Sequence, residues 1–247
     1  MIMRMDSDIK IQCNTHGESN AAYVCHHLLD GFGIGFNVGV DPDDPDARCP
    51  DAWCDDCETR LNEAGEWTEE LHKQADIRLI CVHCYSIIRA KNWNQDDAAF
   101  EELLEESIAY LDGKQATITQ EFKLNQHDRW DWNQDTGQLV FSNGGKPALI
   151  CDVVFVGSIS TRSETWLWSW ANESNVESVK ARMREVRAYG EEHRFNKLAG
   201  AYWPAQPVDG WQMTSIAARL LNAIGAYRTP SDSGFTYMVI TRAGWAQ

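Results

Sequence analysis

Two Cys-x-x-Cys knuckles constrain this chain more than any other feature: Cys54-Asp55-Asp56-Cys57 and Cys81-Val82-His83-Cys84, with 23 residues between them. Two residues between sulfurs let both thiolates point at one ion without straining the backbone, a geometry that suits zinc. Upstream stand Cys13-Asn14-Thr15-His16 and Cys25-His26-His27, which add further sulfur and imidazole donors. Cys13, His16, Cys25, His27, Cys54, Cys57, Cys81 and Cys84 together make eight ligands, enough for two closed tetrahedral sites and two zinc ions. The two knuckles can share one ion, or each can serve a different one.

The compartment decides whether such cysteines read as ligands or as disulfides. The start, Met1-Ile2-Met3-Arg4-Met5-Asp6, has no apolar h-region, and no apolar run approaches the roughly 20 residues of a membrane helix. A cytoplasmic, reduced setting is therefore expected, with no membrane partner and with metal favoured over disulfides. At 247 residues the chain is long for one domain and comfortable for two.

The net charge of −15 is unevenly placed: residues 1–112 carry 24 acids and 8 bases, residues 113–247 carry 13 acids and 14 bases. Zinc does not cancel this, because a Cys3His site sets three thiolates against one dication. A field of that sign repels nucleic-acid backbones and favours a basic protein partner.

Residues 9–13 and 20–29 read as short strands or knuckle arms. Gly31-Phe32-Gly33-Ile34-Gly35-Phe36 lacks the third glycine and the following helix of a dinucleotide loop, so it reads as a strand passing close to another backbone. Asp41-Pro42-Asp43-Asp44-Pro45-Asp46 is a solvated acidic loop without EF-hand spacing. Helices are expected over 58–64, 69–75 and 85–90, with a strand over 77–80. Knuckle, strand, knuckle, helix outlines a treble-clef or cross-brace module over residues 1–94. His27 is preferred to His26 because it leaves a residue of slack after Cys25. Cys49 is a substitute ligand, His83 a neighbour of the sulfurs, and His72 has no evident partner.

Cys13-x2-His16-Gly17-Glu18, then Tyr23 and Cys25, resemble the opening of a B-box-type zinc finger. That resemblance implies crosswise pairing: Cys13 and His16 with Cys54 and Cys57, and Cys25 and a histidine with Cys81 and Cys84. The chain departs from it in the 26 residues between His27 and Cys54 and in having Cys81 and Cys84 where the family has histidines. Sequential pairing of Cys54, Cys57, Cys81 and Cys84 is the alternative.

Residues 95–247 read as a second, α+β domain. Asn94–Asp97 signals a helix start, and Phe100, Leu103, Leu104, Ile108 and Leu111 recur at helical spacing, in a helix expected to bridge the two halves. Arg129–Trp132 and Gly137–Phe141 flank a hairpin turn, and Leu149–Ser160 is the most apolar strand. Thr165–Asn172 reads as a strand with Trp166, Trp168 and Trp170 on one face. Helices with stripes Val176–Tyr189 and Trp211–Ile224 follow, and Phe235–Ile240 closes an antiparallel sheet. The Trp166-x-Trp168-x-Trp170-Ala171-Asn172 stretch, with Arg187-x-Tyr189-Gly190-Glu191 and Ala226-Tyr227-Arg228, resembles a bacterial domain family of unknown function over about residues 97–242.

No G-x-S-x-G, H-E-x-x-H or Walker sequence is present, and no catalytic set is named. Glu164, Asn172, Arg187 and His193 are the polar residues that spacing gathers near the ends of the tryptophan strand. The expectation is a zinc-bearing protein-interaction module, in its most specific form an immunity-type inhibitor of a basic protein. The alternative is an enzyme or small-ligand binder built on the tryptophan face, which requires those rings to be exposed.

Overall fold

A computed structural model describes residues 9–39, 41–44, 46–133, 135–172, 174–231 and 234–246. The chain is α+β and divides into two compact units, Met1–Gln95 and Asp96–Gln247. Among the described residues no helix is long and apolar enough to cross a membrane.

Unit 1 is a five-stranded sheet edged by short helices. Its elements are β1 (Lys10–Cys13), β2 (Gly17–Val24), α1 (His27–Asp30), β3 (Asn37–Val38), β4 (Ala52–Trp53), α2 (Asp55–Ala64), α3 (Glu69–Ala75), β5 (Arg78–Cys81) and α4 (Val82–Asn92). β2 organises the rest. It forms a hairpin with β1, runs antiparallel to β5 with Ala21 opposite Cys81, and meets β4 in parallel with Val24 opposite Ala52. The expected strand beyond Cys25 is instead α1, and Gly31–Phe36 is a bent connection rather than a strand. The close approach there is real: a Cβ on Gly35 (φ +83°) would strike the Asp55 carboxylate. Ala22, Val24, Cys25, Leu28, Phe36, Ala52, Trp53, Cys54, Cys57, Ala75 and Tyr85 form its core.

Unit 2 opens with α5 (Asp97–Phe122), a 26-residue helix that begins where the sequence signals it. Asp96 caps it by accepting the Ala99 N–H at 3.0 Å, which satisfies one of the amides a helix start leaves unpaired. The helix, expected to bridge the two halves, lies wholly within unit 2. There follow β6 (Arg129–Asn133), β7 (Gln138–Asn143), β8 (Lys146–Ser160), β9 (Thr165–Trp168), α6 (Glu177–Glu192), α7 (Asn196–Ala199), β10 (Tyr202–Pro204), α8 (Pro207–Leu220), β11 (Gly225–Ser231) and β12 (Gly234–Trp245). β8 is the spine of this seven-stranded antiparallel sheet. One of its edges pairs with β12, while the other is shared between β7 over its first half and β9 over its second. β12 does not close the sheet; it lies between β8 and β11.

Both faces of that sheet are covered, which explains the unbroken apolar runs of β8 and β12. Tyr237 and Val239 join the cluster made with α5, α6 and α8, whereas Met238 and Ile240 join the one made with Ile118, Phe122, Leu139 and Phe141. The alternation is the period-two geometry of a strand. Gly157 of β8 permits the tryptophan layer: a Cβ there would lie 2.6 Å from both the Leu167 carbonyl and the Trp166 ring.

Candidate metal centres

The eight predicted ligands gather into two groups of four: Cys13, His16, Cys81 and Cys84, and Cys25, His27, Cys54 and Cys57. Within each group the donor atoms lie within 4.8 Å of one another, so each can hold a metal ion. This pairing is nested, first pair with last and second with third. It is neither the crosswise arrangement implied by the B-box resemblance nor the sequential one.

Strand direction is the reason. β5 runs antiparallel to β2, so its C-terminal Cys81 returns toward the start of β2, where the hairpin turn carries Cys13 and His16. β4 runs parallel to β2, so the knuckle that follows it arrives beside the end of β2, where Cys25 directly follows the strand; the Cys25 N–H donates to the Ala52 carbonyl at 2.9 Å. One strand thus brings a different knuckle to each of its ends.

Helix starts shape both knuckles. Cys54 is the N-cap of α2 and Cys81 the N-cap of α4, where the Cys81 sulfur accepts the Cys84 N–H at 3.3 Å. The Cys54 N–H in turn donates to the Cys25 sulfur at 3.4 Å. Amides aimed at sulfur and the positive end of a helix both favour thiolate. In the first group, His16 Nδ1 stands 3.6, 3.3 and 3.5 Å from the sulfurs of Cys13, Cys81 and Cys84, and Cys13 Sγ is 3.9 Å from Cys84 Sγ. In the second, His27 Nδ1 is 3.4 Å from Cys57 Sγ. None of the eight cysteines is in a disulfide.

The thiol acidities diverge within each group, driven by hydrogen bonds and burial. Backbone N–H groups of Thr15 and His16 draw Cys13 down to about 6, while burial pushes Cys84 up to about 12. In the other group the Cys25 thiol donates to Cys54 and lowers it to about 5. Cys25 itself is raised, because it supplies that hydrogen bond, and burial lifts Cys57 to about 11. In the second group Cys54 therefore holds the negative charge while Cys25 and Cys57 keep their protons, and in the first Cys13 is the stronger acid and Cys84 the weaker. A divalent cation removes that divergence by displacing the protons.

The other donors go elsewhere. His26 Nδ1 meets the Ala75 carbonyl at 3.1 Å and its ring lies 3.9 Å from that of His27, but it is not among the donors grouped there. His83 lies beside His16 with ring centroids 5.3 Å apart, and His72 stacks on Trp67 at 5.2 Å. Cys49 packs half-buried against the unit 1 core and belongs to neither group. Of the acidic loop, Asp41, Asp43 and Asp44 are exposed, with the Asp43 N–H on the Asp41 carboxylate; Pro45 lies outside the described residues.

In unit 2, Trp166, Trp168 and Trp170 are 0 %, 0 % and 1 % exposed. They do not share a strand face, because β9 ends at Trp168 and Ser169–Ala171 is a 3-10 turn. The turn is held by the Ser169 hydroxyl on the Phe155 carbonyl (2.6 Å) and by Asn175 on the Ser169 carbonyl (2.7 Å). Trp168 donates its indole N–H to the Lys197 carbonyl at 2.8 Å and meets Trp166 edge-on. The polar residues expected near this strand have separate engagements. Arg187 pairs with Glu191 and covers the Trp170 ring, His193 stacks on Tyr189, Asn172 accepts from Ser174, and the Glu164 carbonyl accepts from Ala205.

Comparison with curated proteins and with solved structures returns no match. Residues 101–243, which span α5 to β12 and include the tryptophan layer, match a family described as "Family of unknown function (DUF6882)". That match covers more than half of the chain, and the protein therefore belongs to this family, with its Cys/His-rich unit 1 lying N-terminal to the matched segment.

Proposed function

We propose that the protein is a two-zinc interaction protein in which unit 1 presents an acidic surface to a basic protein partner, as an immunity-type inhibitor does, in a bacterial cytoplasm that keeps the thiols reduced. The observation that carries this reading is the presence of two complete Cys3His sets in unit 1, whose residues 1–95 carry 17 acids against 8 bases. Tetrahedral zinc, with bonds of about 2.3 Å to sulfur and about 2.0 Å to nitrogen, sets sulfurs about 3.8 Å apart and nitrogen about 3.5 Å from sulfur. The 3.9 Å and 3.3–3.6 Å separations agree with those edges. Four protein ligands fill a tetrahedral ion, so zinc bound there holds structure and leaves no open position for a substrate.

The acidic loop and a set of exposed apolar side chains, Phe32, Ile77, Leu79 and Ile87, lie in this same unit. Apolar contacts within a charged rim are what a protein interface needs, with charge setting the approach rate and burial the residence time. The alternative reading, a ligand groove lined by tryptophan, is disfavoured by the burial of all three rings.

Elemental analysis of protein purified without added metal should return two zinc ions per chain; none, or one that stays one after incubation with zinc and removal of the excess, counts against the reading. Partners captured from cell extract should be basic. With a purified partner the association rate should fall as salt rises, because screening shortens to about 8 Å near physiological ionic strength. Replacing Asp41, Asp43, Asp44 and Asp46 with Asn should slow association and leave the fold intact. A rate indifferent to salt and to these substitutions would place the interface elsewhere.

A further inference from the structure

The two groups of ligands are chemically alike but differently housed. Cys25, Cys54 and Cys57 are all buried and are members of the unit 1 core, in contact with Val24, Leu28, Phe36 and Trp53. Of the other group only Cys81 is buried; Cys13, His16 and Cys84 are half-exposed, and none of the four belongs to that core. Their connections differ as well. The buried group ties the end of β2, α1 and the start of α2, elements that carry the core. The exposed group ties the end of β1 and the turn after it, through Cys13 and His16, to the junction of β5 and α4.

We propose that Cys13/His16/Cys81/Cys84 is an exchangeable zinc site, and that Cys25/His27/Cys54/Cys57 is the permanent one. This rests on the two-zinc reading and adds a division of labour to it. Zinc leaves a closed tetrahedral site when a competing ligand reaches the ion as a protein ligand lets go, so access and local mobility set the rate. At the exposed site the hairpin turn can lift with Cys13 and His16 while the strand pairing of β2 with β4 and β5 stays in place. At the buried site His27 is half-buried, but the three sulfurs sit in the hydrophobic core, and releasing the ion from them requires that core to open, a far rarer event. The protein then has two metal states that share one core: a two-zinc form with the turn clamped, and a one-zinc form with the turn free. Available zinc sets the balance between them.

The test begins with the zinc content of the full-length protein, followed by its release to excess 4-(2-pyridylazo)resorcinol at neutral pH. Two phases of one equivalent each are expected, the first at least about tenfold faster, as local opening outruns opening of a core. Hydrogen exchange after the first equivalent should show loss of protection over residues 10–20 and the start of α4, with protection kept over 22–25 and 52–57. Cys84→Ser should carry one zinc and lack the fast phase. Should that variant fail to fold, the exchange pattern of the unaltered protein still decides. A single phase releasing both ions, or first-phase deprotection centred on 52–57, overturns the inference while leaving two-zinc binding intact. A purified chain without zinc overturns both.

Discussion

At the scale of single residues, the roles of chemically equivalent side chains were settled by what each one touches. His26 and His27 are neighbours in sequence, yet one is spent on a backbone carbonyl and the other completes a Cys3His set. Cys151 shows the same separation of type from role. It is a thiol at 0 % exposure in the middle of β8, pushed up to about 12 by burial, and it behaves as a small apolar residue. The tryptophans are the clearest case. Trp168 is fully buried, packs edge-on to Trp166 and hydrogen-bonds to Lys197, so its ring is core. Trp168→Ala should cost about 3–5 kcal/mol, read as a lower urea midpoint with an unchanged slope. A loss under about 1 kcal/mol would mean that the ring packs far less tightly than its burial indicates.

At the scale of elements, close approach matters more than propensity. β8 can carry the tryptophan layer because Gly157 leaves room where any side chain would meet the Leu167 carbonyl and the Trp166 ring. Gly157→Ala should destabilise unit 2 by about 1–3 kcal/mol, since neither a backbone carbonyl nor a buried indole can easily move aside. Gly113 offers the opposite case in the same unit. It lies exposed in α5 with open space where a Cβ would sit, so Gly113→Ala should stabilise by about 0.5–1 kcal/mol. Thermal midpoints of the two variants should therefore move in opposite directions, and a shared direction would contradict this account of the β8 packing.

At the scale of the whole molecule, the two units draw on different sources of stability. Unit 2 has apolar clusters on both faces of a seven-stranded sheet. Unit 1 has one small cluster that includes three of its own metal ligands. Zinc contributes on the order of 10 kcal/mol to modules of this kind, comparable to the entire stability of a domain. Full metal removal, or Cys54→Ser, should expose residues 9–95 to protease and leave a resistant fragment beginning near Asp96. Digestion of both units together at the same rate would show that unit 2 depends on the metal as well.

Much of this was legible in the chain itself. The knuckle spacing, the cap at Asp96 and the apolar periodicities specify local geometry through the next few residues alone, so the ligands, the helix over 69–75, the start of the helix at Asp97 and the hairpin of Arg129–Trp132 with Gly137–Phe141 could be read directly. Where the outcome depended on partners distant in sequence, reading along the chain could not reach it. The assignment of knuckles to sites followed from β4 running parallel and β5 antiparallel to β2. The period-two pattern of Thr165–Asn172 predicted one long strand, but bonds from Ser169 to Phe155 and from Asn175 to Ser169 turn the chain after Trp168. Residue chemistry named the ligands and the apolar faces. Strand direction and long-range packing decided which ligands meet and which faces are covered, because they join groups tens of residues apart.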